Sequence, residues 1–280
     1  MVPEIARKAA KAALEFRLRT SVGLDHPCDI YEEIHRLGVP LQFMPLKTLD
    51  GMYLRNGASG QIEVSALRPS GQQRFTAAHE LGHHLFGHGG RIDRKLDFRE
   101  RFSSVPADEG LADMFARFAL MPRKAVQRGF EIMSLDITNP TVIDVFRVSS
   151  WLGVGYTTLL HQMHWTLGML SNSSFHELLT VRPQALKRKA APAIRWEGRK
   201  EYFHLCPAWE RNRVHAEVGD VFANLIPPDG KHFITEGDHL VAAAPGEVFC
   251  RIAGGGEIKV SVARTDFVGF YKYRYMEEED

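Results

Sequence analysis

One short segment, FTAAHELGHHLFGH, contains four histidines and a glutamate between Phe75 and His88. The same segment has the apolar spacing of a buried amphipathic helix, so its histidines call for a chemical explanation. On a helix, His79 and His83 lie nearly above one another, because residues four positions apart share a face. Two imidazoles placed in this way can bind one metal ion through their ring nitrogens.

Glu80 adds a general base to these two histidines. Its position directly after His79 keeps its carboxylate out of the same coordination shell, but leaves it within reach of a water on the metal. Two ligands and a base on one helix make up the HExxH arrangement. Zinc lowers the pKa of a bound water to about 7, so a nearby carboxylate can take its proton.

A third ligand must come from another segment, because a catalytic zinc uses three protein ligands and keeps one open position. Downstream, the segment PADEGLADMFARFALMP offers Glu109 in the first turn of a second predicted helix. Asp113 follows four residues later on the same face. A carboxylate there can accept a hydrogen bond from a ligand histidine and orient its ring.

The remaining histidines of the segment fit the metal site poorly. His84 points about 100° away from the ligand face, and His88 lies about 140° around the helix from His83. We interpret both as surface or helix-end histidines, and the helix dipole would favour a charged His88 at the C-terminus. Further along, His161, His164 and Tyr156 could donate to an oxyanion. Nothing in the sequence aligns them with the metal, so we interpret them as core or surface residues.

The segments RFTAAHELGHHLFGH and ExxADMFARFALMP together resemble the ImmA/IrrE family of metallopeptidases. The resemblance covers roughly residues 28–170, including paired short strands before the first segment and FRVSSWLGVGYTTLLHQMHWTLGML after the second. It implies a zincin-like peptidase of the gluzincin type. Carried over to this chain, the family pattern gives the following roles: metal ligands His79, His83 and Glu109, catalytic base Glu80, and Asp113 behind the ligands.

The resemblance also implies a cofactor and a substrate. Zn²⁺ is the expected metal, although Mn²⁺ also suits a site of two histidines and a glutamate. The expected partner is a protein substrate, a helix–turn–helix repressor whose cleavage derepresses stress or mobile-element genes. The strand predicted over residues 61–65 could hold such a substrate in an extended form along its edge.

Composition excludes several classes of protein. The chain has 280 residues, of which 44% are hydrophobic and 25% charged, and a formal net charge of +1. These values are ordinary for a globular protein and provide no global field that would attract nucleic acid or an anionic membrane. Cys28, Cys206 and Cys250 lie far apart without a CxxC pair, which favours reduced thiols. Without a signal peptide or a spanning apolar run, we expect a cytoplasmic protein with no membrane partner.

Periodicity predicts an α+β fold with four parts. The zincin-like metallopeptidase domain is expected over residues 1–130, with helices, a strand and a hairpin before the metal-binding helix. A helix–turn–helix-like extension over residues 131–180 and a basic linker over 181–200 follow. Residues 201–280 contain short alternating runs with Gly, Pro and Asp between them, which predicts a β-rich C-terminal module. We expect that module to act in regulation or substrate recognition, since the predicted chemistry needs no residue from it.

The predicted helix–turn–helix pair raises the alternative of a DNA-binding protein. Its turn is predicted at Val148–Ser149, with Ser149 as the N-cap of a second helix over residues 150–165. That second helix contains no lysine or arginine, which is unusual for a recognition helix. Its apolar residues instead predict a buried face, formed by Trp151, Leu152, Leu159, Leu160 and Met163. Nucleic acid is therefore an unexpected partner.

The basic linker is the better candidate for contact with nucleic acid. Its cations are Arg182, Lys187, Arg188, Lys189, Arg195, Arg199 and Lys200. We interpret them as a solvated linker. A further alternative is a regulatory binding protein that keeps the peptidase fold as a scaffold, with silent or secondary activity. The complete set of two histidines, base and third ligand argues against it, because a degraded site would have lost one of them.

Overall fold

The computed structural model describes residues 2–56, 59–89, 91–94, 106–209, 212–228 and 230–277. Its helices are α1 (Val2–Arg19), α2 (Ile30–Arg36), α3 (Ser70–Phe86), α4 (Ala107–Leu120), α5 (Arg123–Ile132), α6 (Val142–Leu152), α7 (Tyr156–His161), α8 (Asn172–Leu179) and α9 (Pro183–Ala190). Its strands are β1 (Leu41–Met44), β2 (Leu49–Asn56), β3 (Ser59–Ser65), β4 (Arg91–Arg94), β5 (Tyr202–His204), β6 (Arg213–Glu217), β7 (Val221–Ala223), β8 (Leu225–Ile226), β9 (Phe233–Glu236), β10 (His239–Ala242), β11 (Gly246–Ile252), β12 (Glu257–Ala263) and β13 (Gly269–Phe270). The mixture of helices and sheets confirms the predicted α+β class.

The chain forms two compact units. The N-terminal unit consists of Met1–Val126 together with Val268–Tyr271, and the C-terminal unit consists of Gln127–Phe267 and Lys272–Asp280. A short segment near the end of the chain therefore belongs to the first unit. The division follows tertiary contacts, whereas the predicted boundaries at residues 130, 180 and 200 rest on composition and stay a prediction.

The N-terminal unit contains a five-stranded sheet with the order β13-β1-β3-β2-β4. β2 and β3 form the predicted hairpin, with Gly51 opposite Val64 and Arg55 opposite Gly60, while Gly57 and Ala58 of the predicted turn lie outside the described residues. β3 also pairs with β1 in parallel. The expectation that residues 61–65 offer a free edge to a substrate is therefore wrong, because both edges of β3 already carry ladder hydrogen bonds.

The helices of this unit pack around a closely packed core. α3 lies against β2 and β3, and α4 packs between α3 and α1. The sheet contributes Phe43, Ile62 and Val64 to the core, and all three are fully buried. Leu81 and Phe115 are also fully buried, and the Phe115 ring lies 5.7 Å from the Phe16 ring of α1. Gly82 is what allows α4 to approach α3, because a Cβ there would lie 3.0 Å from the Ala112 Cα.

The C-terminal unit contains the helices from α6 to α9 and two four-stranded sheets. One sheet has the order β5-β7-β10-β9 and the other the order β6-β12-β11-β8. The β-rich C-terminal region is thus confirmed. Short strands and frequent turns explain its sequence pattern: Gly219, Gly254 and Gly256 all have φ near +90°, a conformation that glycine adopts without a steric cost.

Two local predictions in this unit are wrong. α6 continues through Val148 and Ser149 and ends at Gly153, whose φ is +71°, so the turn lies between Gly153 and Gly155. Ser149 is buried and donates its hydroxyl to the Phe146 carbonyl, so it caps no helix. Part of the predicted linker is also a helix, because α9 covers Pro183–Ala190 with proline in its first turn.

The face predicted as core on this helical pair is confirmed. Trp151, Leu152, Leu159, Leu160 and Met163 are all buried. Within the described residues, we find no helix with the length and apolar character needed to cross a membrane.

Candidate metal centre

His79 and His83 lie on α3 with their rings side by side. Both are buried, with 5% and 0% of their surface exposed. The Nε2 atoms of the two rings are 3.1 Å apart. Because the helix repeats every 3.6 residues, the four-residue spacing directs both rings to one point.

Glu109 reaches the same point from the first turn of α4. Its Oε2 lies 3.3 Å from the His79 Nε2 and 3.5 Å from the His83 Nε2. Zinc bonds of about 2.0–2.1 Å at tetrahedral angles place neighbouring ligand atoms roughly 3.3–3.4 Å apart. The three donor atoms therefore match one face of a zinc tetrahedron, and among the described residues they form the group of His, Cys, Asp and Glu side chains able to hold a metal ion.

The electrostatics of Glu109 suit a metal ligand. Burial alone would raise the pKa of this carboxyl group, but hydrogen bonds and Coulombic interactions with His79 and His83 outweigh it. The pKa of Glu109 accordingly lies well below its ordinary value. An ionised carboxylate beside two imidazole nitrogens is a donor set that suits Zn²⁺.

Glu80 is held between α3 and the sheet, and 1% of its surface is exposed. The room for it comes from Gly51 on β2. A Cβ at Gly51 would lie 3.1 Å from the Glu80 Oε1 and 2.4 Å from the Thr76 Cγ2. Gly51 was not among the predicted site residues, although a glycine inside a strand often marks a close approach of this kind.

Asp113 makes a different contact from the predicted one. Its Oδ2 accepts a hydrogen bond from the Arg117 Nε at 2.7 Å, one turn further along α4. Arg117 is itself buried and lies 6.0 Å from the centre of the Phe75 ring. A role for Asp113 in orienting a ligand histidine stays a prediction. The contact that the structure describes links two turns of α4 through Arg117, which also lies near Phe75 of α3.

His88 contacts His83, a candidate ligand, although the helical-wheel argument placed it away from the site. Its Nδ1 lies 2.8 Å from the Nδ1 of His83, and its Nε2 lies 3.5 Å from the Asp108 Oδ1. The helix ends at Gly87, whose φ is +67°. This left-handed residue turns the chain back over α3, so the angle of an ideal helix does not apply to His88.

His84 is also engaged. Its Nδ1 lies 3.0 Å from the Tyr53 hydroxyl on β2, and burial lowers the pKa of His84 below its ordinary value. The pair joins the exposed side of α3 to the hairpin. His84 is therefore a half-buried contact between helix and sheet, where the sequence predicted a surface histidine.

The three other candidate donors have structural contacts within the C-terminal unit. The Tyr156 hydroxyl donates to the Leu178 carbonyl at 2.8 Å. The His164 Nδ1 lies 2.9 Å from the Leu170 carbonyl oxygen, and its ring stacks on Phe175. His161 also packs against Phe175. These contacts are those of helix packing.

Several cations of the predicted basic linker are paired with acids. Lys187 is buried, which is rare for a lysine unless it is paired with an acid. Its Nζ lies 2.6 Å from the Glu201 Oε2. Arg199 lies 2.7 Å from Glu217 and 2.6 Å from Asp266. The charge available to a phosphate backbone on this segment is lower than its composition indicates.

Comparison with known proteins gives a match to one family model and matches to several solved structures. Residues 34–163 match the family Peptidase_M78, described as IrrE N-terminal-like domain. Among solved structures, a Mycobacterium tuberculosis transcriptional regulator is 21% identical with a TM-score of 0.34. That alignment covers 57% of this chain and 46% of the regulator's chain, so this chain spans less than half of its length. A search of curated proteins found no match.

Proposed function

We propose that the protein is a zinc-dependent endopeptidase, because residues 34–163 match the IrrE N-terminal-like domain of the Peptidase_M78 family. The match agrees with the ImmA/IrrE resemblance of the sequence motifs and covers all the proposed site residues. One observation carries the proposal. Three donor atoms, from His79, His83 and Glu109, converge on one point, and Glu80, next to His79 in the chain, is buried on the same helix.

The proposed chemistry assigns one task to each side chain. A bound zinc ion supplies Lewis acidity, which polarises a scissile carbonyl and acidifies a water. His79, His83 and Glu109 hold the ion. The Glu80 carboxylate takes the proton of the attacking water and delivers it to the leaving amine. Its burial beside Gly51 keeps it close to one position, which general base catalysis requires.

We propose a specific protein as the substrate, a helix–turn–helix repressor whose cleavage releases a stress or mobile-element response. The support is the family resemblance of the peptidase segments. The C-terminal unit would then select the substrate or receive a signal. Zn²⁺ is the proposed metal because two imidazoles and one carboxylate form a common catalytic zinc set, and Mn²⁺ is the alternative.

The test is incubation of the full chain with the repressor-like product of a neighbouring gene, with and without a chelator. We expect the wild-type chain to cleave the repressor and the chelator to stop cleavage. Glu80→Gln should keep the fold and the metal but lose cleavage, because an amide cannot accept the proton of the water. His79→Ala and Glu109→Ala should lose metal as well as activity.

Two outcomes would count against the proposal. Cleavage at the wild-type rate by Glu80→Gln would mean that Glu80 is not the base. Full metal content in both His79→Ala and Glu109→Ala would remove the ligand assignment. Tight binding of the repressor without cleavage by the metal-loaded wild-type chain would instead support a regulatory binding protein.

A further inference from the structure

A second polar cluster lies in the C-terminal unit, on one face of the sheet β5-β7-β10-β9. Tyr202 and His204 alternate with Phe203 along β5, so they share the face opposite to Phe203. Phe203 packs inward on Phe222, with ring centres 5.0 Å apart. Tyr202 and His204 therefore line the other side of the sheet.

The strand register brings His239 to the same face. His204 lies opposite Ala223 of β7, and β10 runs antiparallel to β7 with Leu240 opposite Phe222. Continuing this register places His239 opposite Ala223. The two histidines therefore flank the small alanine side chain across three strands.

Aromatic rings lie close to the two histidines. The Tyr202 ring centre lies 5.8 Å from that of His239 and 6.3 Å from that of Trp196. The Tyr202 hydroxyl is 3.5 Å from the His204 Nδ1. Tyr202 is buried, whereas Trp196, His204 and His239 are half-buried and so accessible to a ligand.

Arg147 on α6 supplies a cation to the cluster. α6 packs against β5, where the Ser150 hydroxyl reaches the Tyr202 carbonyl at 3.5 Å. Arg147 lies one turn before Ser150 on the same helix face. Burial is the largest cause that lowers the pKa of His204, and the positive charge of Arg147 is the next largest. The same charge opposes the rise that burial causes in the pKa of Tyr202.

The Arg147 guanidinium has no partner among the residues that the structure describes. Arg147 as a whole is half-buried, but its Nε is shielded from solvent and makes no hydrogen bond to the described residues. Two acids close to it along α6 and beside Tyr202 are engaged elsewhere: Asp144 closes the capping box with Thr141, and Glu201 pairs with Lys187. A shielded guanidinium N–H without an acceptor is costly, so this arrangement favours an anion from outside the chain.

We propose that Arg147, Tyr202, His204 and His239 form a binding site for a small phosphate monoester that carries a planar ring. Guanidinium, imidazole and phenol groups offer more donors than the two oxygens of a carboxylate need, and they suit the three oxygens of a phosphate. Trp196 and His239 offer ring faces against which a planar group can stack. A nucleoside monophosphate combines both features. This proposal is independent of the proposed peptidase activity.

The probes are AMP, inorganic phosphate and adenosine, titrated into the full metal-loaded chain by isothermal calorimetry. AMP carries both features, phosphate only the anion, and adenosine only the ring. We expect AMP to bind more tightly than either fragment. Arg147→Gln should weaken AMP binding by roughly 10- to 100-fold, because it removes a charge-assisted hydrogen bond. His239→Ala should weaken AMP and adenosine but leave phosphate nearly unchanged.

Arg188→Gln is the matched control. It makes the same chemical change on an exposed residue of α9 in the same unit, and AMP binding should not change. Arg147→Lys keeps the charge and should retain part of the affinity, so it covers the case in which Arg147→Gln unfolds. The proposal is overturned if wild-type protein binds none of the probes at millimolar concentration. It is equally overturned if His79→Ala abolishes AMP binding while Arg147→Gln leaves it intact, because the anion then sits at the metal centre.

Discussion

At the scale of single residues, His83 is the most constrained part of the metal centre. Its Nε2 faces His79 and Glu109, and its Nδ1 faces His88. A histidine that binds metal through Nε2 carries its proton on Nδ1 and donates it. His88 must then accept at Nδ1 and carry its own proton on Nε2, which faces Asp108. Asp108, His88 and His83 thus form a consistent line of donors and acceptors.

This line predicts the effect of replacing His88. His88→Ala should weaken zinc binding by roughly 10- to 100-fold, because partners of this kind hold a ligand in its tautomer and orientation. Competition with a metal-binding dye would measure the affinity, and the melting curve would check the fold. Unchanged zinc affinity would mean that His88 does not support the metal site and is only a histidine at the end of the helix.

Asp113→Ala is the comparison for His88→Ala. The sequence pattern predicts that it weakens zinc binding or activity by roughly 10- to 100-fold, through a ligand histidine. The contact with Arg117 instead predicts a less stable α4 with nearly unchanged zinc affinity. The same dye competition separates the two roles.

At the scale of elements, close approaches between helices and strands decide where the side chains lie. Gly51 lets β2 pass beside Glu80, and Gly82 lets α4 pass beside α3. A Cβ at Gly82 would lie 3.0 Å from the Ala112 Cα and 3.2 Å from the Phe115 Cδ1. Because Glu109 is carried by α4, the packing distance between these two helices sets the distance between the third ligand and the two histidines.

Gly82→Ala should therefore lower metal affinity without changing any ligand. The added methyl group must push α4 outward by a few tenths of an ångström, and Glu109 moves with it. Gly110→Ala is the matched control, since nothing lies within 4 Å of its Cβ position. Each alanine gains about 1 kcal/mol of helix propensity. Metal titration and melting should show a stabilised, metal-competent Gly110→Ala and a metal-deficient Gly82→Ala. Equal metal affinity in both would refute the spacing argument.

The turn between β6 and β7 contains a carboxyl group that should make stability depend on pH. Asp220 accepts hydrogen bonds from the backbone N–H groups of Glu201 and Glu217. Burial raises the pKa of Asp220 from 3.8 to about 7. The folded state therefore keeps a proton that the unfolded state releases. Its stabilisation is complete below pH 3.8 and is lost as the pH rises to about 7.

Asp220→Asn tests this dependence. Each unit of pKa corresponds to about 1.4 kcal/mol, so the wild-type chain should lose on the order of a few kcal/mol across this window. The amide stays neutral, so the variant should show a flatter profile of unfolding free energy against pH. Urea unfolding at a series of pH values would measure both slopes. Identical slopes would mean that Asp220 ionises normally in the folded chain.

At the scale of the whole molecule, the N-terminal unit is completed by the end of the chain. β13 pairs with β1, with Phe270 opposite Gln42 and Gly269 opposite Phe43. The Tyr271 ring lies 5.8 Å from Tyr31 on α2. The sheet beneath the metal-binding helix therefore includes residues that are distant in sequence.

This arrangement bears on whether the peptidase segments fold alone. Composition predicts that a chain ending at residue 186 stays folded and metal-loaded, and the competing expectation is that later strands complete its core. The pairing of β13 favours the second, and residue 186 also falls within the C-terminal unit. We expect the chain ending at 186 to lose its cooperative melting transition and most of its metal. A chain ending at Glu277 should behave as the full chain.

What the sequence determined by itself is local. The four-residue spacing of His79 and His83, with Glu80 between them, predicts one shared helix face because helix geometry depends only on neighbouring residues. The hairpin of β2 and β3 and the β-rich C-terminal region follow from alternation and turn residues in the same way. Glu109 was predicted as third ligand from its place in the first turn of the next predicted helix and from the family resemblance.

Tertiary structure decided what depends on segments meeting in space. The contact of His88 with His83 exists because Gly87 ends the helix, and no periodic pattern extends past such a residue. The Asp113 carboxylate accepts a hydrogen bond from Arg117. The sequence spacing permits this partner and a ligand histidine equally. The clearances at Gly51 and Gly82 and the pairing of β13 with β1 arise between residues far apart in sequence. Packing selects such contacts because the interior is dense and admits few arrangements, whereas a sequence pattern describes only the chain beside each residue.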